Sequence, residues 1–196
     1  MSTSATDEPG SPGPRRADAR RNHERILSGA REVFAAVGAE AQMDDVARRA
    51  GVGVGTVYRH FPTKEALMGE LVRQKFVVFS QRARAALEIE GEPFEILAEL
   101  LRGNCELAGR DMAVQHALMG AGPEVWALAG DAQAELVGLA GELMARARAA
   151  GTLRRDVGPE DLPMLMCGVS ATMAHPGPGF DWHRHLELVI DALRAR

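Results

Sequence analysis

Cysteine is scarce in this chain: Cys105 and Cys167 are the two it has, each inside a helical pattern. Reduced thiols are therefore expected rather than a disulfide framework. No run of about 18 or more uncharged apolar residues occurs, which leaves no candidate transmembrane helix. No basic-then-apolar stretch opens the chain as a secretory signal would, so a cytoplasmic protein with no membrane partner is expected. Metal and catalytic spacings are missing too. There is no CxxC or HExxH, and His183 and His185 sit two apart, on different faces of a probable helix. Around Ser170 the chain reads Gly-Val-Ser-Ala-Thr, without the second glycine of a nucleophile elbow. The Gly51-Val-Gly-Val-Gly55 run has the wrong glycine spacing for a dinucleotide loop, and no strand precedes it. No catalytic residue, metal or cofactor is expected.

What remains is a chain of 196 residues, 46% hydrophobic, with enough apolar material for a sizeable core. Its net charge of −4 is unevenly spread. Residues 15–64 hold ten Arg and Lys against six Asp and Glu, whereas residues 65–196 hold thirteen against nineteen. A basic module on an acidic body suits nucleic-acid binding by one end. Residues 1–14 are Ser, Thr, Gly and Pro with two acids, and read as a disordered tail. The arginines at 15, 16, 20 and 21 follow as an arm within reach of phosphates.

From about Arg21 the pattern is helical: Ile26, Ala30, Val33, Phe34 and Val37 share one face, and Gly38 is a natural left-handed stop. A second helix spans about Met43 to Ala50, with Val46, Ala47 and Ala50 inward and Asp44 and Asp45 in the first turn. Gly51-Val52-Gly53 is a turn, and a short third helix follows from about Val54 to Phe61. Pro62 stops it, and Thr63 caps a helix beginning at Lys64. A helix of about two turns is not stable alone. Val57 and Phe61 tie it to a small core and leave Val54, Gly55, Thr56, Tyr58, Arg59 and His60 outside, as groove reading requires.

The run from Met43 to Leu67, MDDVARRAGVGVGTVYRHFPTKEAL, closely resembles the DNA-binding domain of TetR-family transcriptional regulators. The likeness covers about residues 20–70, and Gly55-Thr-Val-Tyr58, His60-Phe61 and Lys64 are its most specific part. The resemblance implies an all-α fold, with a three-helix DNA-binding domain at 15–66 and a larger helical effector-binding and dimerisation domain at 67–196. It also implies a homodimer on a double-stranded operator. Carried over by position, Thr56, Tyr58, His60 and Lys64 contact phosphates, while Val54 and Gly55 face base edges. Arg59 suits guanine if it points into the groove. Gln42 and Gly53 stand where the family commonly has a Ser or Thr cap that also touches phosphate.

Further on, a helix runs from Lys64 to about Leu87, another from Phe94 to about Gly109, a short one follows Asp111, and one long or broken helix spans Glu124 to about Ala150. The last two are expected at about Pro159–Ala174 and Trp182–Arg194. By the resemblance this pair forms a four-helix bundle with its copy, through Leu165, Val169, Met173, Leu186, Val189, Ile190 and Leu193. The candidate effector wall is Phe79, Leu101, Cys105, His116, Met119, Trp126, Met144, Met166 and Ser170. Few buried charges are expected there, so an unknown apolar or weakly polar small-molecule effector is the expected partner. The reading that follows is a ligand-responsive dimeric repressor. The competing one is a helical small-molecule-binding or interaction protein without specific DNA reading, favoured by the modest basic excess and weak caps.

Overall fold

The structure is a computed structural model that describes residues 14–111, 115, 121–175 and 177–196. Among the described residues there is no strand, only an isolated antiparallel bridge between Leu153 and Arg194. Helix α1 spans Pro14–Val37, seven residues longer at its start than the apolar periodicity indicates. Pro14 at its head costs no hydrogen bond, because the first-turn N–H groups of a helix have no partner in the helix. Ile26, Leu27, Ala30 and Phe34 are buried, while Val37 is half exposed. Gly38 takes φ +58° and ends the helix.

Helix α2 spans Met43–Ala50 and buries Met43, Val46, Ala47 and Ala50. Gly51 closes it at φ 63°, ψ 41°, with Gly51 N–H donating to Arg48 O and Val52 N–H to Ala47 O. That left-handed backbone is the reason for glycine here. Helix α3 is Val54–His60. Thr63 Oγ1 then accepts from Ala66 N–H at 3.1 Å and starts α4, Lys64–Leu87.

The head core is not closed by α1–α3 alone. Leu67, Met68, Leu71 and Val72 of α4 belong to it, and so do Val125 and Ala129 from far along the chain. Helix α5 spans Pro93–Gly109, and the expected short helix after Asp111 lies, apart from Gln115, outside the described residues. The stretch expected as one long or broken helix is two: α6, Pro123–Leu128, and α7, Gly130–Ala149. The break at Ala129 turns α6 against the start of α4. Gly69 makes room for it, since a Cβ there would lie 2.7 Å from Leu128 Cβ.

The body core gathers Phe79, Ala83 and Ala86 of α4 with apolar residues of α5, α7, α8 and α9. Gly151, at φ +76°, ends the turn after α7. The connector is pinned by Arg154 N–H to Leu193 O and Ala195 N–H to Thr152 O. Pro159–Asp161 form a single 3-10 turn before α8, Leu162–Ala174, so the helix starts three residues later than expected. Asp181 caps α9, Trp182–Leu193, by accepting from His183 and Arg184 N–H. No described helix is long and apolar enough to cross a membrane.

Candidate nucleic-acid interface and ligand cavity

Helix α3 points Val57 and Phe61 into the head core and turns its other face outward. Val54 is 42% exposed and Tyr58 48%, with Gly55 and Arg59 also exposed. Thr56, His60 and Lys64 are half-buried at the rim of this face. Lys64 Nζ lies 5.9 Å from the Phe34 ring centroid, which steadies its stem at the start of α4. His60 sits 5.9 Å from the His23 ring and 6.4 Å from that of Phe61. Burial, then the charges of His23 and Arg59, hold its pKa below the usual histidine value. A neutral imidazole offers one N–H donor, which suits a phosphate oxygen.

Neither turn residue flanking the motif supplies a side-chain cap: Gly53 has none to give, and Gln42 turns its Nε2 to Glu40 O at 2.9 Å. The turn is held from α1 instead, where Arg25 Nη2 donates to Gly51 O at 2.8 Å. Sequence reasoning missed Arg25, because the pair is 26 positions apart and no local pattern links them. The nearby pairs Arg48–Asp45 and Arg49–Glu32 are exposed, and contribute at most about 1 kcal/mol each.

A cavity of about 360 Å³ opens in the body between α4, α5, α6, α7 and α8. That volume falls within the usual range for small-molecule sites. Six of the expected wall residues line it: Phe79, Leu101, Cys105, Trp126, Met166 and Ser170. Met144 does not; it is fully buried in the body core, with its side chain packed among α7's neighbours. His116 and Met119 lie outside the described residues. The Phe76 and Trp126 rings meet at 6.5 Å, and Cys105 Sγ lies 4.0 Å from Met166 Sδ. Burial pushes the Cys105 thiol up to about 11, so it behaves as a small apolar group.

The expectation of few buried charges needs one correction. Lys75 lines the cavity, its Nζ donating to Gln115 Oε1 at 2.5 Å and lying 5.6 Å from the Phe79 ring centroid. Burial pulls its pKa down to about 8, against the smaller opposing pulls of Asp111 and Cys105. The signal was available: positions 67, 71, 75 and 79 share one stripe of α4, with lysine among Leu67, Leu71 and Phe79. Phe76 and Gln115 were missed as well.

The last two helices also differ from expectation. Val169, Met173, Leu186, Ile190 and Leu193 are buried inside the protomer's own core, because that face of each helix covers α5 and α7. Side chains already enclosed have no area left for a partner. Leu165 and Val189 are half-buried at the edge of this core. The apolar residues left outside are Met164, 67% exposed, and Leu188, 50% exposed, with Cys167, Gly168 and Ala171 along the same side of α8.

A family model described as bacterial regulatory proteins of the tetR family matches residues 26–71. A second, described as the C-terminal domain of SbtR-like transcriptional regulators, matches residues 92–195. The TetR transcription regulatory protein of Mycobacterium vanbaalenii is 38% identical, with 93% of this chain and 100% of that chain covered and a TM-score of 0.61. A TetR transcriptional regulator of Streptomyces coelicolor is 30% identical over 88% of this chain and 98% of its own, with a TM-score of 0.60. A structure described as the molecular basis for control of antibiotic production by bacterial hormones is 26% identical, covering 89% and 98%, at a TM-score of 0.67. No curated protein sequence matches.

Proposed function

The chain belongs to the TetR family of bacterial regulatory proteins and is a ligand-responsive DNA-binding transcription regulator; from that premise we propose a dimeric repressor that a small molecule releases from a palindromic operator. The DNA-binding part is residues 15–66 and the effector-binding and dimerisation part residues 67–196. Each subunit lays α3 in a major groove. Val54, Gly55 and Arg59 face base edges. Gln42, Thr56, Tyr58, His60 and Lys64 hold phosphates and so fix the register. With small apolar residues at the start of α3, base reading there is chiefly contact with thymine methyl groups. The dimer forms through the outer side of α8 and α9, around Met164 and Leu188.

One observation carries the mechanism. Helix α6 contributes Trp126 to the cavity wall and its neighbours Val125 and Ala129 to the head core, while Val72 of α4 belongs to both. A ligand that needs room beside Trp126 and Phe76 cannot be admitted without moving side chains that also pack the head. Two helices thus carry the displacement, and the spacing of the two heads changes with it. The ligand acts only through its different affinities for the two arrangements. A tenfold loss of operator affinity needs about 1.4 kcal/mol of coupling.

Selection of binding sites from random duplex DNA with the purified protein, repeated across a salt series, tests this. The expected result is a palindrome whose affinity falls steeply with salt. Enrichment of no sequence, with binding lost at moderate salt, sinks specific operator reading.

A further inference from the structure

We propose that the cavity is built for an amphipathic anion, a carboxylate on an apolar body, with the Lys75 ammonium as its counter-ion. The inference rests on the effector role proposed above for this cavity. Lys75 is the one charged side chain among the described residues that line it; the same cavity is walled by Val72, Phe76, Phe79, Leu136 and Met166. Its Nζ has three donors, and Gln115 Oε1 takes one. Asp111, the carboxylate whose charge reaches it, is held by Arg31 at 3.8 Å. The neighbouring stretches 112–114 and 116–120 read Met-Ala-Val and His-Ala-Leu-Met-Gly and contain no acid. Among the described residues no carboxylate stands at ion-pairing distance from this cation in its apolar walls.

An ammonium in such surroundings is costly unless paired. A carboxylate would satisfy its remaining donors with charge-assisted bonds, strengthened by the low local dielectric. A neutral ligand leaves that cost in place, and a cationic one adds repulsion. The residue type fits as well. Lys75 is one of two lysines in a chain with 21 arginines, and its ammonium is a compact point charge where a guanidinium presents a wider fork of five donors. The apolar walls bind the body of the ligand, and Lys75 selects its head group.

The test uses the full chain and a neutral fluorescent probe, N-phenyl-1-naphthylamine, displaced by either decanoate or decan-1-ol. These competitors share a chain length and differ in head group. In the natural protein decanoate should displace the probe at a concentration at least tenfold lower than decan-1-ol, equivalent to about 1.4 kcal/mol. In Lys75→Met, and in Lys75→Gln as a second variant, that ratio should collapse while decan-1-ol displaces as before. Equal potency in the natural protein, or a ratio that survives both substitutions, overturns the ligand class and leaves the effector cavity standing. If the probe does not bind, or neither competitor displaces it, the effector reading of the cavity fails and this proposal with it.

Discussion

Replacing Lys75 by methionine should make the ligand-free protein more stable. The amino group of Lys75 is largely buried, and its pKa is drawn from 10.5 down to about 8. At about 1.36 kcal/mol per unit, keeping it protonated costs the fold about 3 kcal/mol at neutral pH. Methionine fills a similar volume with an unbranched apolar chain, and takes the charged donor from the buried Gln115 amide oxygen, a loss of about 1–3 kcal/mol. The net gain is up to about 2 kcal/mol. The pH dependence has a definite sign. Between about pH 8 and 10.5 the unfolded chain holds the lysine proton and the folded one has lost it. The Lys75 penalty therefore fades as pH rises through that window and is fully present below it. Cys105, raised from 9.0 to about 11 by burial, works the other way above about pH 9, where the unfolded thiol ionises and the folded one does not, but both proteins carry it and it cancels from their difference. Urea unfolding of both proteins at one fixed concentration, at about pH 7 and about pH 9.5, reads the effect. The variant should lead by up to about 2 kcal/mol at the lower pH, and its lead should shrink at the higher. A variant that is less stable at neutral pH, or a gap that does not move with pH, would refute the reasoning.

Three other outcomes are expected. Tyr58→Phe combined with Lys64→Ala should weaken operator binding at every sequence and lower the salt slope by about 1 to 2, measured by fluorescence anisotropy across salt; an unchanged slope would remove these residues from the phosphate contacts. Gly69→Ala would bring a Cβ to 2.7 Å from Leu128 Cβ and Cδ1, and overpacking of about 1–3 kcal/mol should outweigh the helix-propensity gain of about 1 kcal/mol. Adding Leu128→Ala removes the Cδ1 contact but keeps the Cβ one and should restore only part of that loss, and a neutral or stabilising Gly69→Ala would contradict the close packing of α4 on α6. Met164→Glu with Leu188→Glu should shift sedimentation from dimer to monomer while the circular dichroism stays helical; a dimer that persists would move the interface elsewhere.

The residues that specify the reading head act locally, so the sequence alone determines them. The α2 bounds follow from apolar spacing and from Gly51, whose left-handed backbone disfavours a Cβ, and the start of α4 follows from one oxygen on Thr63. The motif from Gly55 to Lys64 is contiguous, and a contiguous pattern needs no knowledge of what lies across the molecule. Longer-range features are different. Nothing local says that Val125 and Ala129 complete the head core, that Arg25 fastens the Gly51 carbonyl, or that Met144 is core while Met166 is cavity wall. Each depends on which helices pack together, and one apolar stripe reads the same whether it meets its own body or a partner. That is why Val169, Met173, Leu186, Ile190 and Leu193 pass in sequence for a dimer face, although the protomer uses them itself. Lys75 is the sharpest case. Its place on the inner stripe of α4 is written in the sequence, but only the helices closing around it decide that its charge is buried, because desolvation belongs to the surroundings and not to the residue.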